Sequence, residues 1–222
     1  MHAFGEAVIT MITGGKAQKV FAGKLREAIL GARDILEIGT PQRYAKELRP
    51  FEGLFAGLHY VAAGYQPSLT YGKYNCDCHQ DIQAMTFPDA AFDTVLCIEV
   101  IEHVANPFAA ASELFRVLRP AGRLFLTTPF LLQYHGKKAE AHSPDHESYP
   151  DFWRFTHQGL QELLGHFRRV EIHPLDGPVE FRLNQFYLTT AMSFPLLRYL
   201  LDAFDRPRVG KATTRHLVLA TK

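Results

Sequence analysis

The sequence predicts an α/β fold in which helices cover both faces of a mostly parallel sheet. Two apolar runs and the segment joining them predict it. Val95-Leu96-Cys97-Ile98 is continuously apolar, as a strand buried on both faces should be, and Leu124-Phe125-Leu126-Thr127 repeats the pattern. Between them lie a polar turn and a helical segment. The run from Phe87 to Pro129 therefore reads as a right-handed strand–helix–strand crossover of the length such units need.

The other elements follow in chain order. Ala17 to Leu30 sets Lys and Arg against Val20, Phe21, Leu25, Ile29 and Leu30, which predicts an amphipathic helix on the flank of the sheet, stopped by Gly31. Asp34 to Gly39 reads as the first strand and Gln42 to Leu48 as a helix. Leu58 to Ala62 reads as the second strand. Gly64 to Lys73 is rich in turn formers without a helical stripe, so a crossover helix is shortened or missing there. Tyr74 to Cys78 is the third strand and 95–98 the fourth. Asn106 caps a helix with Pro107 at its first position, and Phe108, Ala111, Phe115 and Leu118, widened by Leu114, form its apolar stripe. Pro120 and Gly122 end that helix before the fifth strand, 124–127. Thr156 caps a helix running to Gly165, Arg169 to His173 forms a sixth strand, and Thr214 to Ala220 the last.

Composition bounds the function. At 222 residues, 47% hydrophobic and 21% charged, the chain has material for one sizeable core, and a single domain over 1–222 is the default. The 24 basic and 23 acidic residues are scattered and nearly balanced, so no basic stripe marks a nucleic-acid partner. Cys76, Cys78 and Cys97 are an odd number and do not read as a disulfide framework. With no signal-peptide pattern at the N-terminus, a cytoplasmic location is expected. No membrane span is expected. The most apolar segment, 184–204, contains Pro195, Arg198 and Asp202 and reads as a helical insertion before the last strand. Peripheral membrane contact or a homo-oligomer interface stays open for it.

Chemistry is expected at the carboxyl ends of the strands, where open α/β sheets bind ligands. Glu99, Glu102 and His103 follow the fourth strand directly. Residues 130–155 form a long aperiodic loop rich in His and Pro, a length typical of lids and binding loops. His135, nearest the fifth strand, and His146 are placed by it near an acceptor. His142-x-x-x-His146 is broken by Pro144 and Cys76-x-Cys78-His79 lacks paired spacing, so no metal site is predicted.

The ordered motifs FPD-x-x-FD-x-V, E-x-x-EHV-x-x-P, E-L-x-R-V-L-x-P-x-G and a strand ending in Thr-Pro resemble the class I S-adenosylmethionine-dependent methyltransferases, the UbiE-like branch in particular. Residues 151–156, DFWRFT, resemble a box of methyltransferases found with polysaccharide biosynthesis. The resemblance implies a Rossmann-like three-layer α/β/α sandwich with a seven-stranded sheet, an N-terminal helical extension over 1–30, and S-adenosyl-L-methionine as cofactor. It implies that Glu37, Gly39 and Thr40 form the cofactor turn, with Glu37 either meeting the cofactor's amino group or capping the turn. Asp81 would meet the adenine amino group with Ile82 packing on the ring, and Glu99 would face the methionine part or the acceptor.

Two departures stand out. The family's D/E-x-G-x-G-x-G turn is here Glu37 to Arg43 with only Gly39 matching, one residue short and with Pro41 lacking a donor. The family's acidic residue at the end of strand two aligns with Gly64, for which Tyr65 or Gln66 would have to substitute. On the acceptor side stand His103, Tyr149, Trp153 and Arg154. For His103 a structural role competes with that of a base, and for Trp153 and Arg154 sugar or carboxylate binding competes with anchoring the loop. The candidate bases are Glu99, His135 and His146. The expected function is O-methylation of a small-molecule or sugar-type acceptor. The alternative is an inactive binding or scaffold protein with a degenerate turn.

Overall fold

The computed structural model describes residues 16–40, 43–65, 76–132, 134–136, 150–175 and 213–222. In chain order these form α1 (Lys16–Ile29), β1 (Asp34–Ile38), a 3-10 segment (Arg49–Phe55), β2 (His59–Gly64), β3 (Cys78–His79) and β4 (Phe92–Ile98). A 3-10 turn (Ile101–His103), α2 (Pro107–Val117), β5 (Leu118–Pro129), α3 (His157–Leu163), β6 (Arg169–Pro174) and β7 (Arg215–Thr221) follow. One seven-stranded sheet has the order β3-β2-β1-β4-β5-β7-β6. The pairs among β3, β2, β1, β4 and β5 are parallel, and β7 runs antiparallel to both its neighbours. The Rossmann-like α/β sandwich expected from the sequence is the one observed.

Each sheet face carries its own core. Leu36, Ile38, Val95, Cys97, Leu124 and Leu126 pack with α2 and α3. Ile35, Leu96, Ile98 and Phe125 pack with Phe21, Leu25 and Ala28 of α1. The strand residues alternate between the two faces because successive side chains point to opposite sides. Gly31, at φ +76°, ends α1 in a conformation that costs glycine little.

Among the strands, β3 is described only at Cys78–His79 and β5 begins at Leu118 directly after α2, so Pro120 and Gly122 lie in the strand instead of ending the helix; two further elements differ from expectation. No helix forms over residues 43–48. Tyr44 sits at φ +61°, Glu37 takes the N–H groups of Tyr44 and Ala45, and the chain turns before entering the 3-10 segment with Pro50 in its first turn. The second correction concerns α2, capped as predicted by Asn106 Oδ1 accepting from Ala109 N at 3.1 Å. Its buried face is Pro107, Ala110, Ala111, Leu114 and Val117, while Phe108 is 57% exposed. The small side chains at 110 and 111 let the helix lie close to the sheet, and the phenyl at 108 is turned outward. The described part of 130–155 has no helix or strand, and the 184–204 segment lies outside the described residues.

The E-L-x-R motif on α2 holds the loop between β3 and β4. Glu113 accepts the Met85 N–H at 2.7 Å, and Arg116 donates to the carbonyls of Phe87 and Met85 and to Asp89. Asp93 pins the start of β1, accepting from the N–H groups of Arg33 and Asp34 and from Arg119.

Candidate functional site

The strand order reverses between β1 and β4, and ligand crevices of open α/β sheets lie at that switch, beyond the carboxyl ends of the two strands. On the β1 side, Gly39 adopts φ +83°, and a Cβ there would meet the Val100 methyls at 2.5 Å and 2.6 Å. The N–H groups of Gly39 and Thr40 both donate to the Ala63 carbonyl, at 2.8 Å and 3.2 Å. Thr40 is buried. The turn is therefore tied to β2 and packed under the end of β4.

Glu37 caps this turn. Its Oε1 accepts from Ala45 N at 2.5 Å and its Oε2 from Tyr44 N at 2.9 Å and the Tyr60 hydroxyl at 2.7 Å. Burial raises its pKa, and these three donors oppose the rise. Of the two roles open to Glu37, the structure displays the capping one.

At the end of β2, a side chain on Gly64 would press on the Thr40 carbonyl at 3.1 Å and Cys76 Sγ at 3.2 Å. The space a carboxylate would need is filled. Tyr65 is 60% exposed at this end. Asp81 accepts the Gln83 N–H at 2.8 Å in a tight turn, with one oxygen so used. Ile82 is buried in the core with Ala63 and Met85.

On the β4 side, Glu99 adopts φ +52°, uncommon for a residue with a Cβ, and its N–H donates to the Thr127 carbonyl at 3.1 Å. Its Oε1 is enclosed and has no hydrogen-bond partner among the described residues. Burial raises the Glu99 pKa, opposed by the Arg215 charge and the neighbouring Thr127 hydroxyl. Three residues on, Glu102 is fully buried, and burial together with the Glu99 charge pushes its pKa well up.

Glu102 is covered by the returning loop. Its carbonyl accepts from Phe152 N at 2.8 Å and Trp153 N at 3.2 Å. Its carboxylate lies 3.6 Å from His103 Nε2 and 3.9 Å from His135 Nε2. His103 Nδ1 meets the Pro150 carbonyl at 2.5 Å, and burial lowers the His103 pKa. The two imidazoles meet edge to face at 5.0 Å.

The 151–156 box anchors this loop. Arg154 pairs with Asp151 through both terminal nitrogens, which holds the Asp151 pKa down at about 2. Trp153 Nε1 donates to the Val104 carbonyl at 2.8 Å, and its ring stacks on Phe155. Phe155 is buried and Trp153 is 39% exposed. The structure thus brings Glu99, His103, His135 and Arg154 to the end of β4. It leaves Asp81 in the β3–β4 loop and Glu37 beneath the β1 turn. His146 and Tyr149 lie outside the described residues. Asp151 is the member of the cluster absent from the expected site, and the sequence places Glu102 at the end of the fourth strand without a role. Asp151 lies three residues before Arg154, and the loop meets Glu102 through Phe152 and Trp153, far along the chain.

A doubly wound sheet with its switch between β1 and β4, a capped glycine turn on one side and a buried carboxylate on the other, defines the class I methyltransferase fold. Residues 58–126 match the family model described as a methyltransferase domain. A Mycolicibacterium smegmatis protein named as a probable S-adenosylmethionine-dependent methyltransferase is 33% identical over 99 residues, 44% of this chain and 38% of that protein. The ubiquinone biosynthesis O-methyltransferase of Xanthomonas euvesicatoria is 34% identical over 84 residues, 38% of this chain and 32% of the enzyme. These matches thus span well under half the length of either relative. A SAM-dependent methyltransferase from Archaeoglobus fulgidus shares the fold with a TM-score of 0.52 and 14% identity, over 92% of this chain and 94% of that one. Among the described residues, no helix is long and apolar enough to cross a membrane.

Proposed function

We propose that the protein is an S-adenosylmethionine-dependent methyltransferase acting on a small-molecule or sugar-type acceptor, by O-methylation. The observation that carries this reading is Glu99, a carboxylate with an enclosed, unpartnered oxygen at the sheet's switch point, inside a segment of methyltransferase-family sequence. O-methylation draws on the likeness to the Xanthomonas enzyme, and a sugar-type acceptor on the DFWRFT box.

S-adenosylmethionine, when bound, supplies an activated methyl group and its own leaving group. The chain must then align the acceptor oxygen, exclude water and take one proton. Glu99 is the proposed base: burial raises its pKa, which makes the carboxylate a stronger proton acceptor. His135 and His103 form the acceptor-side wall, with Trp153 bonded through Nε1 to the Val104 carbonyl, next in the chain to His103. Gly39 and Thr40 line the cofactor turn, and Asp81 retains one carboxylate oxygen for the adenine end. Tyr65 is exposed where a ribose would lie.

Calorimetric titration with S-adenosylhomocysteine tests the reading. Micromolar binding, weakened by Asp81→Ala, is expected; no binding at millimolar ligand overturns it. A second reading, a binding protein of this fold that no longer methylates, is favoured by the Gly39–Thr40 turn, whose N–H groups are both taken by Ala63. That reading predicts no methyl transfer even where cofactor binds.

A further inference from the structure

We propose that Glu102, His103 and His135 form a binding site for a first-row divalent cation, with one carboxylate and two imidazoles as its protein ligands. One ligand atom from each of the three lies within 4.8 Å of the others. Glu102 Oε1 is fully buried and makes no hydrogen bond among the described residues. It is aimed at His103 Nε2, 3.6 Å away, and His135 Nε2, 3.9 Å away. Those separations are too long for hydrogen bonds. Two ligands each about 2.1 Å from one ion at a tetrahedral angle stand roughly 3.4 Å apart, so Glu102 is within a few tenths of an ångström of that spacing from each imidazole, and the two rings would close on the ion from within 4.8 Å of each other.

The second layer supports the same conclusion. The Pro150 carbonyl can only accept, so His103 carries its proton on Nδ1 and turns the lone pair of Nε2 toward Glu102. The Nε2 nitrogen and the Glu102 oxygen face each other at 3.6 Å, a separation that a cation held by both would bridge. His135 Nδ1 lies between Asp151 Oδ2 at 3.4 Å and Arg154 Nη2 at 3.3 Å. The guanidinium can only donate, so Nδ1 accepts from Arg154 here, and an ion on Nε2 would move the ring proton to Nδ1 and turn that contact toward the Asp151 carboxylate.

The donor set selects the metal. Two nitrogens and one oxygen suit zinc, iron, cobalt, nickel or manganese better than magnesium or calcium, which take oxygen ligands. The site is reachable, because the side chains of His103 and His135 are 19% and 39% exposed while that of Glu102 is enclosed. Three protein ligands leave further positions for water or an oxygen-bearing molecule. The inference rests on these side chains and not on methyl transfer.

The test is a Co²⁺ titration of the chelator-stripped protein, followed by visible absorption. One Co²⁺ per chain with micromolar affinity is expected. His135→Ala and the isosteric Glu102→Gln should each weaken it by about tenfold or more. Absence of stoichiometric binding, or binding indifferent to both changes, overturns the proposal. S-adenosylhomocysteine affinity of the same samples reports the folded state separately: cofactor binding without cobalt removes the metal site alone, and cobalt binding without cofactor removes the methyltransferase reading alone.

Discussion

Arg154 grips the enclosed Asp151 carboxylate with both terminal nitrogens, and Asp151 Oδ2 also accepts the His135 N–H at 2.8 Å. One ion pair therefore ties the chain after β5 to the chain before α3, across the end of β4. Arg154→Ala leaves an uncompensated buried carboxylate and should cost about 3 kcal/mol of stability, read from urea unfolding. Loss within experimental error would show that the pair does not anchor the loop. Arg154→Lys should recover only part, because an ammonium cannot engage both oxygens in one plane.

Glu37 should behave as a turn cap. Glu37→Ala strands two backbone N–H groups and the Tyr60 hydroxyl, at about 1–3 kcal/mol for each buried group left unpaired. Tyr60→Phe, which removes a single bond, should cost about 1 kcal/mol. Comparable losses from both variants would contradict the shared role of the carboxylate.

Gly64→Asp restores the acidic residue that the resembling family carries after its second strand. Its Cβ alone would press on the Thr40 carbonyl and Cys76 Sγ, so the change should destabilise by about 1–3 kcal/mol, as overpacking does. S-adenosylhomocysteine affinity should not improve. A tighter complex by calorimetry would show that the strand end opens when a carboxylate is present.

The phase of α2 can be tested in the same way. Phe108→Ser should change stability by no more than about 0.5 kcal/mol, since the ring is exposed, whereas Leu114→Ala should cost about 3 kcal/mol. The reverse order would put Phe108 back on the buried face expected of it.

That comparison shows where the sequence was legible. Val95 to Ile98 and Leu124 to Thr127 declared themselves because strands covered on both faces are apolar throughout, and Asn106-Pro107 declared the start of α2 because a cap is local chemistry. Ala111, Leu114 and Leu118 are buried as the stripe required and Phe115 packs against the core, whereas Phe108 faces outward because Pro107 and Ala110 take its place on the sheet side. The helix expected after β1 does not form because Tyr44 sits at φ +61°, outside helical geometry, in a turn held by Glu37 from seven and eight positions back. Glu99 was legible from its place beyond β4. The enclosure of Glu102 was not, since it depends on Phe152 and Trp153 docking on its carbonyl.

His216, in β7, offers a pH test independent of the site. Its ring is buried and stacked on Phe130 at 5.3 Å, and neither nitrogen has a partner among the described residues. Burial, with a smaller contribution from the His157 charge, pushes its pKa down to about 4 from the usual 6.5. Between those values the unfolded chain binds the proton and the folded chain does not, so stability falls as the pH is lowered through this window. The full difference is on the order of 3 kcal/mol. His216→Leu removes the titrating group. Urea midpoints between pH 8 and pH 4 should therefore decline more steeply for the wild-type chain than for the variant, and parallel declines would place the acid sensitivity elsewhere.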